Sequence, residues 1–262
     1  MNIVVCVKQV PASNEARMDP VTNTLMREQV ASILNPFDAF AVEEAVRLKA
    51  RCAGSSVMAI SMGVPSAAQT LRGVLAVGVD QAMLLTDRAF AGADTLATAN
   101  TLASAIGILP QPDLILCGRM ATDGDTAQVG PMLAEALGLP HVTDVAEIEQ
   151  ISERRAVVRK LTDDGYVRLE VPLPALLSVT KEINVPRLPS IAGVLRSWEA
   201  EVQICSALQL GVDPEQVGLA GSETRVVRTM RPDHRVKSEV LTGSVPEQAE
   251  ALLDRLRAQK LL

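Results

Sequence analysis

Through the first 140 residues, short apolar runs alternate with stretches in which apolar positions recur every three to four residues. The runs "NIVVCVKQV" (2–10), "SVMAISMG" (56–63), "DQAMLLTD" (80–87) and "PDLILCG" (112–118) predict buried strands. Helices are predicted over 35–51, 66–78, 93–109 and 126–138. In the first helix Asn35 is placed as N-cap and Pro36 in the first turn, with Ala41, Ala45 and Leu48 on one face. Its Asp/Glu and Lys/Arg pairs along 43–51 read as a solvated face. This rhythm predicts an α/β fold, a doubly wound, mostly parallel sheet.

After about residue 140 the pattern changes. "VTDVAEIEQ", "RRAVVRKLTDDGYVRLEVPLPALLSVT" and "EVQICSALQL" alternate like antiparallel strands, with "DDG" (163–165) as a hairpin turn. From about 184 no period is sustained until a last helix over 245–262, whose apolar positions Ala249, Leu252, Leu253 and Leu256 need a host. The strands are expected to complete the same domain, and the residues from about 184 onward to lie along another surface.

Composition narrows the class. The formal net charge of −6 argues against nucleic acid as the main partner, because phosphate binding needs a basic face. "MNIVVCVKQV" reads as a strand rather than a signal peptide, and no apolar run is long enough to span a membrane. Cys6, Cys52, Cys117 and Cys205 form no CxxC pair and no zinc spacing with His141 or His234. A reduced, cytoplasmic protein with buried thiols is expected. With aromatics at 2%, the core must be built from Val, Leu, Ile, Ala and Met.

Candidate chemistry gathers where strands end and helices begin, because ligands of open α/β sheets sit there and helix N-termini attract anions. The turns in question carry Lys8 and Gln9, then Gly63, then "TDRAFAGADT" (86–95), then "CGRMATDGDTAQVG" (117–130). Gly118 and Gly124 let backbone approach a ligand closely. Thr126 can cap a helix or bond a phosphate oxygen. Asp123 and Asp125 repel a bare anion, and fit as ribose hydroxyl acceptors, loop braces or helix-start residues. A capped loop without ligand is the alternative. Arg88 can stabilise negative charge on a phosphate or a reduced ring. Phe90 can touch a ring or fill core. Thr95 can bond phosphate or cap its helix. Cys6 and Cys117 read as small filler on buried strands. Neither histidine has a catalytic pairing.

Five stretches together resemble the β (small) subunit of electron-transferring flavoproteins, with the electron-bifurcating type nearest: "MNIVVCVKQVP", "DPVTNTLMRE" (19–28), "NPFDAFAVEEAVRLK" (35–49), "CGRMATDGDTAQVGP" (117–131) and "LPALLSVTKEINVPRLPSIAG" (173–193). The resemblance implies an αβ heterodimer and divides the chain into a nucleotide-binding, adenine nucleotide alpha-hydrolase-like α/β domain over 1–193 and an extended C-terminal arm over 194–262 packed on the α subunit. It implies FAD in the α subunit, and in the β subunit either AMP or, in bifurcating members, a second FAD. "LLTDRAFAGADTLAT" and "GDTAQVGP" resemble the bifurcating type, in which NADH is the electron donor and ferredoxin or flavodoxin one acceptor. A flavin dehydrogenase, acyl-CoA or similar, is the other implied partner.

By this resemblance Val7, Lys8, Gln9, Asn35 and Asp38 surround the nucleotide. Gly63, Cys117, Gly118, Arg119, Asp123, Gly124, Asp125, Thr126, Ala127, Gln128, Val129 and Gly130 lie about ribose and phosphates. Phe90, Asp94, Thr95 and Thr98 adjoin the diphosphate or flavin, and Arg88 acts on the ring, where a guanidinium favours an anionic reduced flavin. Met120 stands where the family often has Gln, so one side-chain hydrogen bond is missing. Residues 183–190 match the loop that docks a dehydrogenase, with Ile183 as apolar anchor.

Overall fold

The computed structural model describes residues 1–12, 31–227 and 238–262. The stretch 19–28 and His234 lie outside these. Two compact units are present, Met1–Arg225 and Val226–Leu262.

The first strand, β1 (Asn2–Cys6), shows why the sheet is doubly wound. Ile3 and Val5 enter one apolar cluster; Val4 and Cys6 enter a second on the opposite face. Both faces are covered, so the strand reads as a continuous apolar run rather than an alternation. The strand stops at Cys6, short of the expected residue 10. Gln9–Pro11 (β2) instead pairs antiparallel with Ser32–Leu34 (β3) in a small separate sheet. Then follow α1 (Pro36–Arg51), β4 (Ser56–Met62), α2 (Ala67–Ala76), β5 (Gln81–Leu85), α3 (Thr95–Gly107), β6 (Leu114–Gly118) and α4 (Val129–Ala136). All fall on the predicted runs, with ends matching or trimmed by up to three residues. Residues of α1 and α2 join the cluster holding Ile3 and Val5, and those of α3 and α4 join the other.

Beyond α4 come β7 (His141–Ile151), β8 (Arg155–Thr162), β9 (Gly165–Pro172), β10 (Ala175–Val179), α5 (Ile191–Glu199), β11 (Val202–Cys205), α6 (Ala207–Leu210) and α7 (Val245–Ala258). The nine-stranded sheet has the order β11-β5-β4-β1-β6-β10-β7-β8-β9. Every neighbour pair from β11 to β7 is parallel. The β8–β9 hairpin turns at Asp163-Asp164, as "DDG" predicts, and adds two antiparallel strands at one edge. "EVQICSALQL" is not antiparallel: β11 pairs parallel with β5 and gives way at once to α6. The compact unit Met1–Arg225 includes α5, which straddles the expected boundary at 193/194, and β11 and α6 beyond it.

The face of α1 expected to meet water is partly buried. Glu43 and Glu44 are both shielded from solvent. Arg187 donates to Glu43 through its amide (3.1 Å), Nε (2.8 Å) and Nη2 (3.0 Å), and Arg47 Nε adds a bond of 2.8 Å. Asn184 Nδ2 donates to Glu44 Oε2 (3.1 Å) and Phe40 O (3.0 Å). Burial raises the Glu43 carboxyl, but the bonds from Arg187 and Arg47 outweigh it and hold the group below its ordinary value. These contacts pin the loop after β10 onto α1. No helix among the described residues is long and apolar enough to cross a membrane.

Candidate functional site

The chain leaves β1 toward β4 and β5 on one side, then returns to lay β6 on the other. That reversal is a topological switch point, and open α/β sheets take ligands in the crevice outside the carboxyl ends of the strands there, here β1 and β6. Its floor is a hydrogen-bonded bracket. The buried Asp38 carboxylate accepts the Lys8 amide (2.7 Å) and Asn35 Nδ2 (2.9 Å). Asn35 Nδ2 also donates to Met120 O (2.9 Å), Asn35 Oδ1 accepts the Thr122 amide (3.2 Å), and the Asn35 amide bonds Lys8 O (2.9 Å). Two residues at the head of α1 thus tie together the turns after β1 and β6. Asn35 sits at the N-cap position, but its side chain does not cap the helix. Met120 takes part only through its carbonyl, so the missing Gln side chain costs the bracket nothing.

Burial pushes the Asp38 carboxyl up to about 7, against the pull of bonds from Asn35, Lys8 and Gly118 and of the Lys8 charge. Gly118 is required here by space. An added Cβ would lie 2.6 Å from Phe37 C and 2.7 Å from the Asp38 amide nitrogen. Cys6 and Cys117 sit opposite each other on β1 and β6, both buried. Burial raises the Cys6 thiol to about 12 and moves Cys117 the same way, so both are inert filler. Gly130 lets α4 close over Cys117, whose Sγ would lie 2.9 Å from an added Cβ. Neither the Cys117 side chain nor that of Val7, also buried, is presented to a ligand.

The loop after β6 is exposed from Thr122 to Gln128 and holds two non-glycine residues at positive φ, Asp125 (51°) and Ala127 (53°). Such backbone is uncommon outside glycine and clusters at ligand sites. Among the described residues the amides of Thr126, Ala127 and Gln128 meet no acceptor. Thr126 does not cap α4, which begins three residues later with Gln128 as an N-cap lacking a side-chain bond. Lys8 Nζ pairs with Asp123 Oδ1 at 2.7 Å, which removes the objection that Asp123 would repel an anion.

The N-termini of α3 and α4 meet at this loop. Thr95 Oγ1 donates to Gln128 Oε1 at 3.2 Å, bridging the first turn of one helix to the cap of the other. The free amides before α4 therefore lie beside the positive dipole ends of two helices, of which α3 is already capped by Asp94. Thr98 is half-buried in the first turn of α3. Arg88 stands exposed in a single 3-10 turn, Arg88–Phe90, ahead of α3.

Several expected ligand residues are occupied otherwise. Phe90 is 5% exposed and packs with the core between the sheet and α3, so it is filler. Asp94 caps α3 by accepting the Ala97 amide (3.0 Å), and its second oxygen takes the amide and hydroxyl of Thr224. Gln9 Nε2 turns to Thr70 Oγ1 (3.0 Å) and Ser66 O (3.3 Å). Arg119 Nε pairs with Asp144 (2.9 Å). Gly63 has ordinary backbone, and a Cβ there would only touch Ala67. Ile183 packs against the core and is no anchor; the exposed apolar side chains of its loop are Val185 and Leu188. The glutamates beneath that loop carried no sequence signal of burial, although Asn184 and Arg187 stand in the signature run.

A family model described as the electron transfer flavoprotein domain matches residues 22–208. The electron transfer flavoprotein subunit beta of Thermoanaerobacterium thermosaccharolyticum is 49% identical over 263 residues, covering 100% of both chains. Subunit CarD of the caffeyl-CoA reductase–Etf complex of Acetobacterium woodii is 44% identical with the same coverage. Protein FixA of Azorhizobium caulinodans is 43% identical over 97% of this chain and 92% of its own. With the parallel sheet, the bracketed crevice and end-to-end likeness in agreement, the chain belongs to the electron transfer flavoprotein family as a β subunit.

Proposed function

We propose that the crevice holds the adenylate half of FAD, with its phosphates at the joined N-termini of α3 and α4, and that the chain passes electrons as one half of a heterodimer with an α subunit. The observation that carries this is the Thr95–Gln128 bridge, which sets the uncapped head of α4, and the loop of free amides before it, beside the first turn of α3. The residues fit such a group. Gly118 lets the end of β6 close onto the head of α1, Lys8 neutralises Asp123, and the Asn35–Asp38 bracket fixes both walls. Bound FAD supplies the one- and two-electron chemistry; the chain binds, orients and sets the charge around it. Arg88, unpaired among the described residues, offers a positive charge from the same loop that starts α3.

NADH as donor, and ferredoxin or flavodoxin as one acceptor, complete the bifurcating version. The likeness to CarD, named as a subunit of a caffeyl-CoA reductase complex, supports a flavin dehydrogenase as the other partner. The loop pinned by Asn184 and Arg187 is suited to docking it, because its base is rigid while Leu188 is 89% exposed. The second reading is AMP in the crevice, with all redox chemistry in the α subunit. The same phosphate-facing amides favour it, while exposed Arg88 has no task in it.

Flavin-to-protein ratio decides. The purified heterodimer, denatured and read by absorbance, is expected to release two FAD per αβ pair, falling to one in Arg88→Ala. One FAD and one AMP per pair would refute the bifurcating version.

A further inference from the structure

We infer that the run Val217–Thr224 clamps the loop Ala89–Asp94 and so fixes where Arg88 and Thr95 stand at the nucleotide mouth, with Ser222 and Thr224 as positioning residues. This rests on the nucleotide reading of the crevice. The loop makes few bonds of its own. Asp87 ties its start by accepting the amides of Ala89 (3.0 Å) and Ala207 (3.1 Å). Apart from the Ala91 amide, which bonds Arg88 O (3.1 Å), the holds from Ala91 to the Asp94 amide come from far along the chain. The Leu219 amide donates to Ala91 O at 2.9 Å. The Asp94 amide donates to Ser222 Oγ at 2.8 Å, and Ser222 Oγ is itself set by donating to Gly218 O at 2.6 Å. The Thr224 amide (2.9 Å) and hydroxyl (3.0 Å) both donate to Asp94 Oδ2.

Packing closes the same seam. Gly218 has φ +57°, and an added Cβ would drive into the Ala89 carbonyl group. Leu219 covers Gly92, and Val217 is buried in the core cluster that holds Phe90. Asp94 therefore joins two tasks. One oxygen caps the helix whose first residue is Thr95, and the other anchors the clamp. Releasing the clamp frees the cap residue of the helix that faces the phosphates.

The test uses the full chain co-produced with its α subunit and stripped of nucleotide. Variants are Ser222→Ala with Thr224→Val, Thr224→Ser alone, and Gly218→Ala, which keeps every hydrogen-bonding side chain but forces the seam apart. Amide hydrogen exchange is followed at 89–97 and at Leu114–Gly118, with AMP and FAD binding measured separately. The double variant and Gly218→Ala are expected to exchange about tenfold faster at 89–97 and to bind the better of the two ligands about tenfold more weakly, the worth of one bond to a charged acceptor. Leu114–Gly118 should be unchanged, and Thr224→Ser should behave as the unaltered protein. Unchanged exchange at 89–97, loosening spread equally over the sheet, or faster exchange with unaltered affinity would each overturn the proposal. Failure of the nucleotide reading would show separately, as no binding of either ligand by the unaltered heterodimer, and would take the clamp's role with it.

Discussion

Gly118→Ala should be among the most damaging single-methyl additions in this chain. The new Cβ would sit 2.6 Å from Phe37 C and 2.7 Å from the Asp38 amide nitrogen, and closer still to Asp38 Oδ1. Carbon atoms in contact normally stand about 3.5–4.0 Å apart. Relief requires the first turn of α1 to retreat by most of an ångström, since the obstacles are backbone and a side chain bonded on several sides. Overpacking of this kind costs about 1–3 kcal/mol. Retreat also stretches the bonds that Lys8 and Asn35 make to buried Asp38, worth about 1.5–3 kcal/mol where a charged group is involved. Partial loss of these brings the total to about 2–5 kcal/mol, or a melting temperature lower by about 5–15 °C at this size. The control is Gly124→Ala, where no atom lies within 4 Å and φ is not left-handed; it should stay within about 0.5 kcal/mol of the parent. Differential scanning calorimetry of nucleotide-free heterodimers makes the comparison. Equal melting temperatures for the two variants would refute the steric account of the crevice floor.

Asp38→Asn should flatten the pH dependence of stability. Its folded carboxyl, raised from 3.8 to about 7, holds a proton that the unfolded chain releases, so its contribution is greatest at low pH and is lost as pH rises through about 7. Urea midpoints at about pH 5 and about pH 8 should lie closer together in the variant than in the parent. Glu43 runs the other way: its carboxyl is held low, so its contribution is present above its ordinary 4.5 and lost as pH falls. Glu43→Gln should cost about 1–3 kcal/mol near neutrality and progressively less in acid, read from the same midpoints. Leu188→Glu should leave the melting temperature unchanged, because the side chain touches little of its own protein, yet raise the KM for the partner dehydrogenase about tenfold or more.

The central strands were legible because their composition leaves no alternative. Both faces of β1, β4, β5 and β6 are covered by helices, and runs such as "LILC" and "AISM" follow directly from that. The ends of those strands, and so the location of the crevice, followed with them. Features decided by distant partners were not legible. β11 was legible as a strand, but its parallel direction was not, because that is set by its pairing with β5. Glu43 and Glu44 have the spacing of a solvated face, and only a loop about 140 residues away buries them. In the site, Gly118 is required by its close approach to Phe37 and Asp38 of the chain itself, a contact the sequence pattern did not disclose. The assignments of Phe90, Asp94, Gln9 and Ile183 turned on where side chains point, which is set by packing and by bonds to residues as remote as Thr224.

Helix α7 begins with a well-formed capping box, Ser244 with Glu247, and buries none of its fourteen residues; Leu252 and Leu253 stand open to water. A single amphipathic helix of this length is marginal in water when nothing covers its apolar stripe. Its order must therefore be underwritten by another surface, which on the heterodimer reading is the α subunit. On that reading, the chain produced without an α subunit should be cut by protease first within this segment.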